Sequence, residues 1–378
     1  MKIVLYTNIM TPYRKYFYDL FYEECRKNGD QFTVLVMAEN ENNRVWRYND
    51  YSASYTKLLK GFTLSWGETY IHFNKALRKE LNDISPDVVI ASGSYLCPGT
   101  WTILHNKRNI GYKALFWSES HLGEVRDYGT IKIRIRETLR KNFYKQFDAF
   151  LCSGELAKNF VREYSSSGKI IHLPNLIQES QYETTFGEIS DICKKYHEAG
   201  KTILFTPARL SPVKGLVPFM DLLAKCSNKD KVAWLIAGSG ELQANLEEKA
   251  KDSGICIELL GNKTAKEVAI LYQNIDIFCL PSLSDPNPLT CVEAIWSGKP
   301  LLISSHVGNY PEVVDEGING FVFSYENEEE AIKKIEKCIG SNKIWRKEAG
   351  EHSLCIAQNI YNSIKVTSRV RNEISMLI

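Results

Sequence analysis

The sequence predicts an α/β protein made of two doubly wound domains, facing each other across a cleft. Three observations carry this expectation. Short apolar runs rich in β-branched residues alternate with longer stretches of helical spacing. The rhythm restarts after residue 200, and the 378 residues exceed the roughly 150 of one ordinary domain.

In the first half the strand-like runs are Ile3 to Tyr6, Phe32 to Met37, Val88 to Ala91, Ala114 to Trp117, Phe150 to Cys152 and Ile170 to Leu173. In the second they are Thr202 to Thr206, Ala233 to Ala237, Ile257 to Leu260, Ile275 to Leu280, Leu301 to Ser304 and Phe321 to Phe323. A polar stretch from Leu176 to Gly200, with a helical run from Glu188 to His197, marks the connection. Domains are therefore expected over residues 1–180 and 181–358. A last helical segment, 359–378, is read as crossing back to the first domain.

Composition narrows the function. Apolar residues make up 44% and charged residues 24%, the profile of a soluble globular chain. The formal charge of +2, from 47 basic against 45 acidic residues, argues against a protein that coats nucleic acid. Ten isolated cysteines without a C-x-x-C pair read as reduced, mostly buried thiols, and no metal site is expected. The start, MKIVLYT, lacks a signal-peptide core, and no run approaches the roughly 18 apolar residues of a membrane span. A cytoplasmic location follows, either free or peripheral on the inner face of the membrane.

In open parallel sheets ligands bind beyond the carboxyl ends of the strands, so the loops after strands hold the candidates. Arg209 and Lys214 flank one strand-to-helix turn, where two cations and a helix start suit a diphosphate; a solvated loop is the alternative. The next strands end in Gly238-Ser239-Gly240 and Gly261-Asn262, turns that let backbone approach a ligand. The most informative stretch runs from Leu280 to Pro300. There a loop bears Asp285 and a helix starting near Pro288 bears Glu293.

Arg209-x4-Lys214-Gly215, Gly238-x-Gly240, Asp285 with Glu293 eight positions on, Gly298-x-Pro300, Gly308-Asn309-Tyr310-Pro311-Glu312 and Asn319-Gly320 together resemble the retaining glycosyltransferases of family 4. These have the GT-B fold of two Rossmann-like domains. The resemblance is strong over about residues 202–325, carried by the order and spacing of these elements.

It implies a transferase that moves a hexose-type sugar from a UDP- or GDP-sugar to a hydroxyl of a glycan or lipid-linked acceptor, in cell-surface polysaccharide or glycolipid synthesis. Arg209 and Lys214 would bind the diphosphate, Glu293 the ribose hydroxyls and Asp285 a hydroxyl of the transferred sugar. The backbone of Asn287, Leu289 and Thr290 would meet sugar or phosphate oxygens. The resemblance further implies reaction on one face of the sugar, with the departing phosphate taking the acceptor proton and no metal or other cofactor. One departure is that the family's first acidic residue is usually Glu before Gly-aromatic-Gly, whereas Asp285 precedes Pro286-Asn287-Pro288. A nucleotide-sugar epimerase of the same fold and a non-catalytic transferase partner remain alternatives. A dehydrogenase is disfavoured because no G-x-G-x-x-G follows the first strand.

On the acceptor side, Tyr13 and Arg14 follow the first strand and head an aromatic helix from Lys15 to about Asn28. Glu119 and His121 follow the strand ending at Trp117. In related transferases a His or acidic residue there lies near the reacting sugar. Ile131 to Phe147 reads as an amphipathic helix with Lys132, Arg136 and Arg140 beside Ile135, Leu139 and Phe143. It is either a lipid-facing basic helix or a surface helix with a core-facing stripe.

Overall fold

The computed structural model describes residues 1–41, 47–66, 69–120, 130–183 and 190–378. They form two compact units, Met1–Leu176 with Ser363–Ile378, and Ile177–Asn362.

The first unit contains β1 (Lys2–Thr7), β2 (Gln31–Val36), β3 (Thr56–Leu58), β4 (Phe62–Trp66), β5 (Thr69–Phe73), β6 (Val88–Ala91), β7 (Lys113–Ser118), β8 (Ala149–Cys152) and β9 (Lys169–His172). Seven of these make a parallel sheet ordered β3-β2-β1-β6-β7-β8-β9, while β4 and β5 form an antiparallel hairpin of their own. Both sheet faces are covered, which is why the strands read as continuous apolar runs. Ile3 and Leu5 enter one core cluster and Val4 and Tyr6 the other, as the two-residue period of a strand requires.

The second unit repeats the plan with β10 (Thr202–Pro207), β11 (Val232–Ala237), β12 (Cys256–Leu259), β13 (Ile277–Leu280), β14 (Leu301–Ser304) and β15 (Gly320–Phe323), ordered β12-β11-β10-β13-β14-β15. Its pairs are parallel throughout. In each sheet the strand order reverses beside the first strand, between β1 and β6 and between β10 and β13. Such a reversal leaves a crevice at the carboxyl ends, because the flanking loops depart in opposite directions.

The chain returns to the first unit in helix Ser363–Ser375. Its Val366, Val370 and Ile374 stand four residues apart and join the cluster of Phe17, Tyr18 and Phe21. Arg371 locks it there by an ion pair to the buried Asp30 at 2.6 Å.

Several expectations shift. The aromatic helix starts earlier, at Pro12, with proline at its first turn. The connecting helix is Asp191–Glu198, and its expected start at Glu188 lies outside the described residues. The basic helix spans Thr130–Tyr144, and of its expected apolar stripe Phe143 is buried, while the side chains of Lys132 and Ile135 lie outside the described ones. Leu139 is exposed, whereas Arg140 packs over the rings of Tyr95, Phe160 and Tyr164 and donates to the Tyr164 hydroxyl at 3.1 Å. Its guanidinium thus covers aromatic surface and is not a free lipid-facing cation.

Candidate functional site

In the second unit the loops after β10 and β13 close on each other at the strand-order reversal. Val213 O accepts from the Leu283 amide at 2.8 Å and the Ser284 amide at 3.3 Å, and the Tyr325 hydroxyl donates to Pro281 O at 2.6 Å. Gly215 is required at this joint: its φ is +63°, and a Cβ would fall 2.0 Å from Pro281 O. The turn places Lys214 Nζ 2.5 Å from an Asp285 carboxylate oxygen, both side chains mostly buried.

The Asp285 loop is held from its far side as well. The Asp285 amide donates to His306 O at 3.2 Å, the Gly308 amide to Asp285 O at 2.7 Å, and Asn309 Nδ2 to Pro288 O at 3.0 Å. Pro288 is the residue just before helix Leu289–Trp296 and not its first helical residue. Having no polar side chain, it cannot cap the first-turn amides, which include those of Leu289 and Thr290. Helix Leu216–Lys225 likewise begins after Gly215 with no side-chain cap. Two uncapped helix starts therefore flank the Lys214–Asp285 pair, and each offers amides and positive dipole to an anion.

Glu293 stands on the second turn of Leu289–Trp296, half-buried, with the Tyr182 and Tyr272 hydroxyls as neighbours, the latter donating to Thr290 O at 2.9 Å. Burial raises the Glu293 pKa, and the two hydroxyls offset only part of that rise. The buried Cys291 thiol is pushed well up, by burial first, then by the Asp285 and Glu293 charges, with Lys214 opposing.

Arg209 lies exposed on the neighbouring loop. That loop is zipped to the glycine turn: the Leu210 amide donates to Ser239 O and the Leu242 amide to Leu210 O, both at 3.0 Å. A Cβ at Gly238 or Gly240 would strike Ala208 O or Leu210 O. The Gly238 amide donates to Gly261 O at 2.8 Å, which brings the turn before Asn262 alongside. The glycines thus allow backbone to pack on backbone. Asn287 sits in the Asp285 loop, half-buried.

In the first unit the structure joins Arg14 to Glu119 at 3.1 Å. The Arg14 guanidinium also lies over the Trp117 ring at 4.1 Å and beside Tyr13 at 6.0 Å. Burial alone would lower its pKa, but Glu119, Tyr18 and Tyr13 outweigh this and raise it, so the cation is kept. His121 lies outside the described residues. Sequence reasoning missed Tyr182, Tyr272 and Tyr325, because nothing in a lone Tyr signals which loop it will reach, and it read Asn309 only as part of a motif.

Residues 190–352 match the family model of glycosyl transferases group 1. The chain is 25% identical over 276 residues to a Campylobacter jejuni GalNAc-alpha-(1->4)-GalNAc-alpha-(1->3)-diNAcBac-PP-undecaprenol alpha-1,4-N-acetyl-D-galactosaminyltransferase, spanning 72% of this chain and 70% of that one. The Anabaena HepE structure in complex with UDP superposes with a TM-score of 0.76 at 16% identity, covering all of both chains. This chain is a glycosyltransferase of GT-B fold, and its likeness to group 1 lies in residues 190–352. As a transferase it is also 25% identical over 174 residues to the alpha-monoglucosyldiacylglycerol synthase of Streptococcus pneumoniae, a match over 43% of this chain and 39% of that one. Its relatives act in lipid-linked and polysaccharide synthesis. Among the transferase's described residues no helix is long and apolar enough to cross a membrane.

Proposed function

We propose that the chain is a retaining transferase of family 4 that moves a hexose-type sugar from a UDP- or GDP-sugar to a hydroxyl of a glycan or lipid-linked acceptor, without a metal ion. The observation that carries this reading is the Lys214–Asp285 pair at the strand-order reversal, between two uncapped helix starts, the second of which belongs to the helix that carries Glu293. HepE in complex with UDP supports the donor class. The undecaprenol-linked acceptor in one relative's name and the diacylglycerol-linked product in another's support the acceptor class.

A donor diphosphate competes with Asp285 for Lys214. Lys214 and Arg209 then bind phosphate oxygens, the helix-start amides face the same charge, and Asp285 is released towards a sugar hydroxyl. Glu293, backed by its two tyrosines, accepts from the ribose hydroxyls. Each charge-assisted hydrogen bond contributes about 1.5 to 3 kcal/mol, and those that strengthen as the phosphate departs lower the barrier.

A carboxylate already paired with a lysine is a weak nucleophile, which favours reaction on one face of the sugar over a covalent intermediate. The bond from acceptor oxygen to anomeric carbon forms, the bond to phosphate breaks, and the acceptor proton passes to the departing phosphate oxygen. With the active donor and acceptor in hand, Lys214→Ala is expected to lower kcat/KM about a hundredfold to a thousandfold. Glu293→Ala is expected to raise donor KM, with both variants still folded by circular dichroism. Full transfer in either would sink the assignment, and donor conversion without acceptor would indicate an epimerase.

A further inference from the structure

The Asp285 loop, residues 285–288, is held at three points by one neighbouring turn, residues 306–309. Asp285 and Val307 form a parallel bridge, in which the Asp285 amide donates to His306 O and the Gly308 amide to Asp285 O. Gly308 lets the two backbones meet, since a Cβ there would fall 1.9 Å from Pro286 O. Asn309 closes the far end: it is only 1% exposed, and its Nδ2 donates to Pro288 O at 3.0 Å.

The turn itself is anchored and cannot recede. Val307 lies in the core, the Ser304 hydroxyl donates to Ser282 O and accepts from the His306 amide, and the His306 ring stands 3.2 Å from a Glu326 carboxylate oxygen. Pro286 and Pro288 fix two of the loop's own φ torsions, so its ends do not re-set independently. Across from the loop, Lys214 is fixed in the same way, because Gly215 beside it packs against Pro281 O. Asp285 and Lys214 thus project from two fixed backbones, and their mostly buried side chains are already in contact.

The reach of the acid is then set by its own length. A glutamate would carry its carboxylate one C–C bond further, about 1.5 Å, and the loop could not back away to absorb it. A misplacement of about 1 Å at a reacting centre can cost about a hundredfold in rate.

We propose that the 306–309 turn, anchored by the Asn309 side chain, is a clamp that fixes the Asp285 loop at the reach of the shorter carboxylate, so that aspartate and clamp form a matched pair. Asn309 is a positioning residue: it acts through Pro288 and Asp285 and is too buried to touch a substrate. The inference rests on the transferase reading, in which Asp285 meets a hydroxyl of the donor sugar, and it names what sets that contact.

A double-mutant cycle on the full chain tests it, with donor and acceptor found by screening. For each variant kcat is read at saturating acceptor, and affinity is read for UDP or GDP, whichever the donor carries. Asp285→Glu is expected to lower kcat about tenfold to a hundredfold. Asn309→Ala is expected to lower kcat about tenfold while nucleotide affinity stays within about threefold, because the contacts with Lys214 and Glu293 do not run through the turn. In the double variant the released loop makes room for the longer acid, so kcat should exceed the value given by multiplying the two single losses by at least about fivefold. Independent sites would multiply to within about twofold. Should Asn309→Ala not bind nucleotide, the isosteric Asn309→Asp, whose carboxylate cannot donate to Pro288 O, takes its place in the cycle. Wild-type kcat in Asp285→Glu or in the Asn309 variant, losses that simply multiply, or a parallel fall of nucleotide affinity in both Asn309 variants overturns the clamp and leaves the transferase reading intact. Absence of transfer by the wild-type chain from every UDP- and GDP-sugar overturns both.

Discussion

At the scale of single residues, the chemistry rests on charges whose partners fix their state. Lys214 and Asp285 were legible as candidates because they sit in loops after strands, at spacings shared with a known family. Their mutual contact was not, since 71 positions separate them and only the parallel register of β10 and β13 brings their loops together. Glu293 was legible from its distance to Asp285, but its tyrosine partners were not. Its raised pKa gives a pH prediction. Burial disfavours the ionised form, so the carboxyl takes up a proton at a pH above the usual carboxylate value of about 4.3. The protonated form cannot accept from both ribose hydroxyls as the ionised one does. Donor KM is therefore expected to rise on acidification, beginning above that range, and Glu293→Gln should show a high donor KM without this pH limb. A pH-independent donor KM in the wild type between pH 5 and 8 would contradict the role. Being raised, the group contributes stability below its unfolded pKa that is lost as pH rises through its folded value. Glu293→Gln should accordingly melt no lower than wild type at neutral pH.

At the scale of elements, the parallel strands were the readable part, because burial on both faces turns them into β-branched apolar runs. The short edge strand β3 and the β4–β5 hairpin were not read. Phe62-Thr63-Leu64-Ser65-Trp66 does alternate apolar and polar residues, the signature of a half-exposed strand, but it lacks the β-branched run sought elsewhere. In the basic helix Phe143 is buried as a core-facing stripe requires, but the partners of Arg140 were not legible, since they are aromatic residues far along the chain. Strand β9 carries a prediction of its own. Burial, and next the Arg369 guanidinium, hold the His172 imidazole down to about 4, against about 6.5 unfolded. The unfolded chain binds the extra proton, so stability present above about pH 6.5 is lost as pH falls through about 4. His172 O also accepts from Arg369 of the last helix at 2.9 Å. Melting temperatures of wild type and His172→Gln are expected to converge towards acid, and parallel curves from pH 8 to 4 would contradict the linkage.

At the scale of the whole molecule, one plan is used twice: a parallel sheet whose strand order reverses beside its first strand, with polar side chains gathered at that reversal. The two units differ in what they gather. The second offers cations and uncapped helix starts, suited to a diphosphate. The first offers an arginine already matched by a carboxylate, and a hairpin that brings a histidine against a second one. This division was readable from sequence in outline, through the loops after strands, whereas the contents of the first reversal depended on the hairpin. The central claim is that a nucleoside diphosphate is held by Lys214, the helix-start amides and Glu293 with no metal ion. Calorimetric titration of UDP and GDP into the full chain in excess EDTA tests it most directly. One nucleotide is expected to bind the wild type, with affinity reduced at least tenfold in both Lys214→Ala and Glu293→Gln; wild-type affinity in those variants, or binding only after a divalent cation is added, would contradict it.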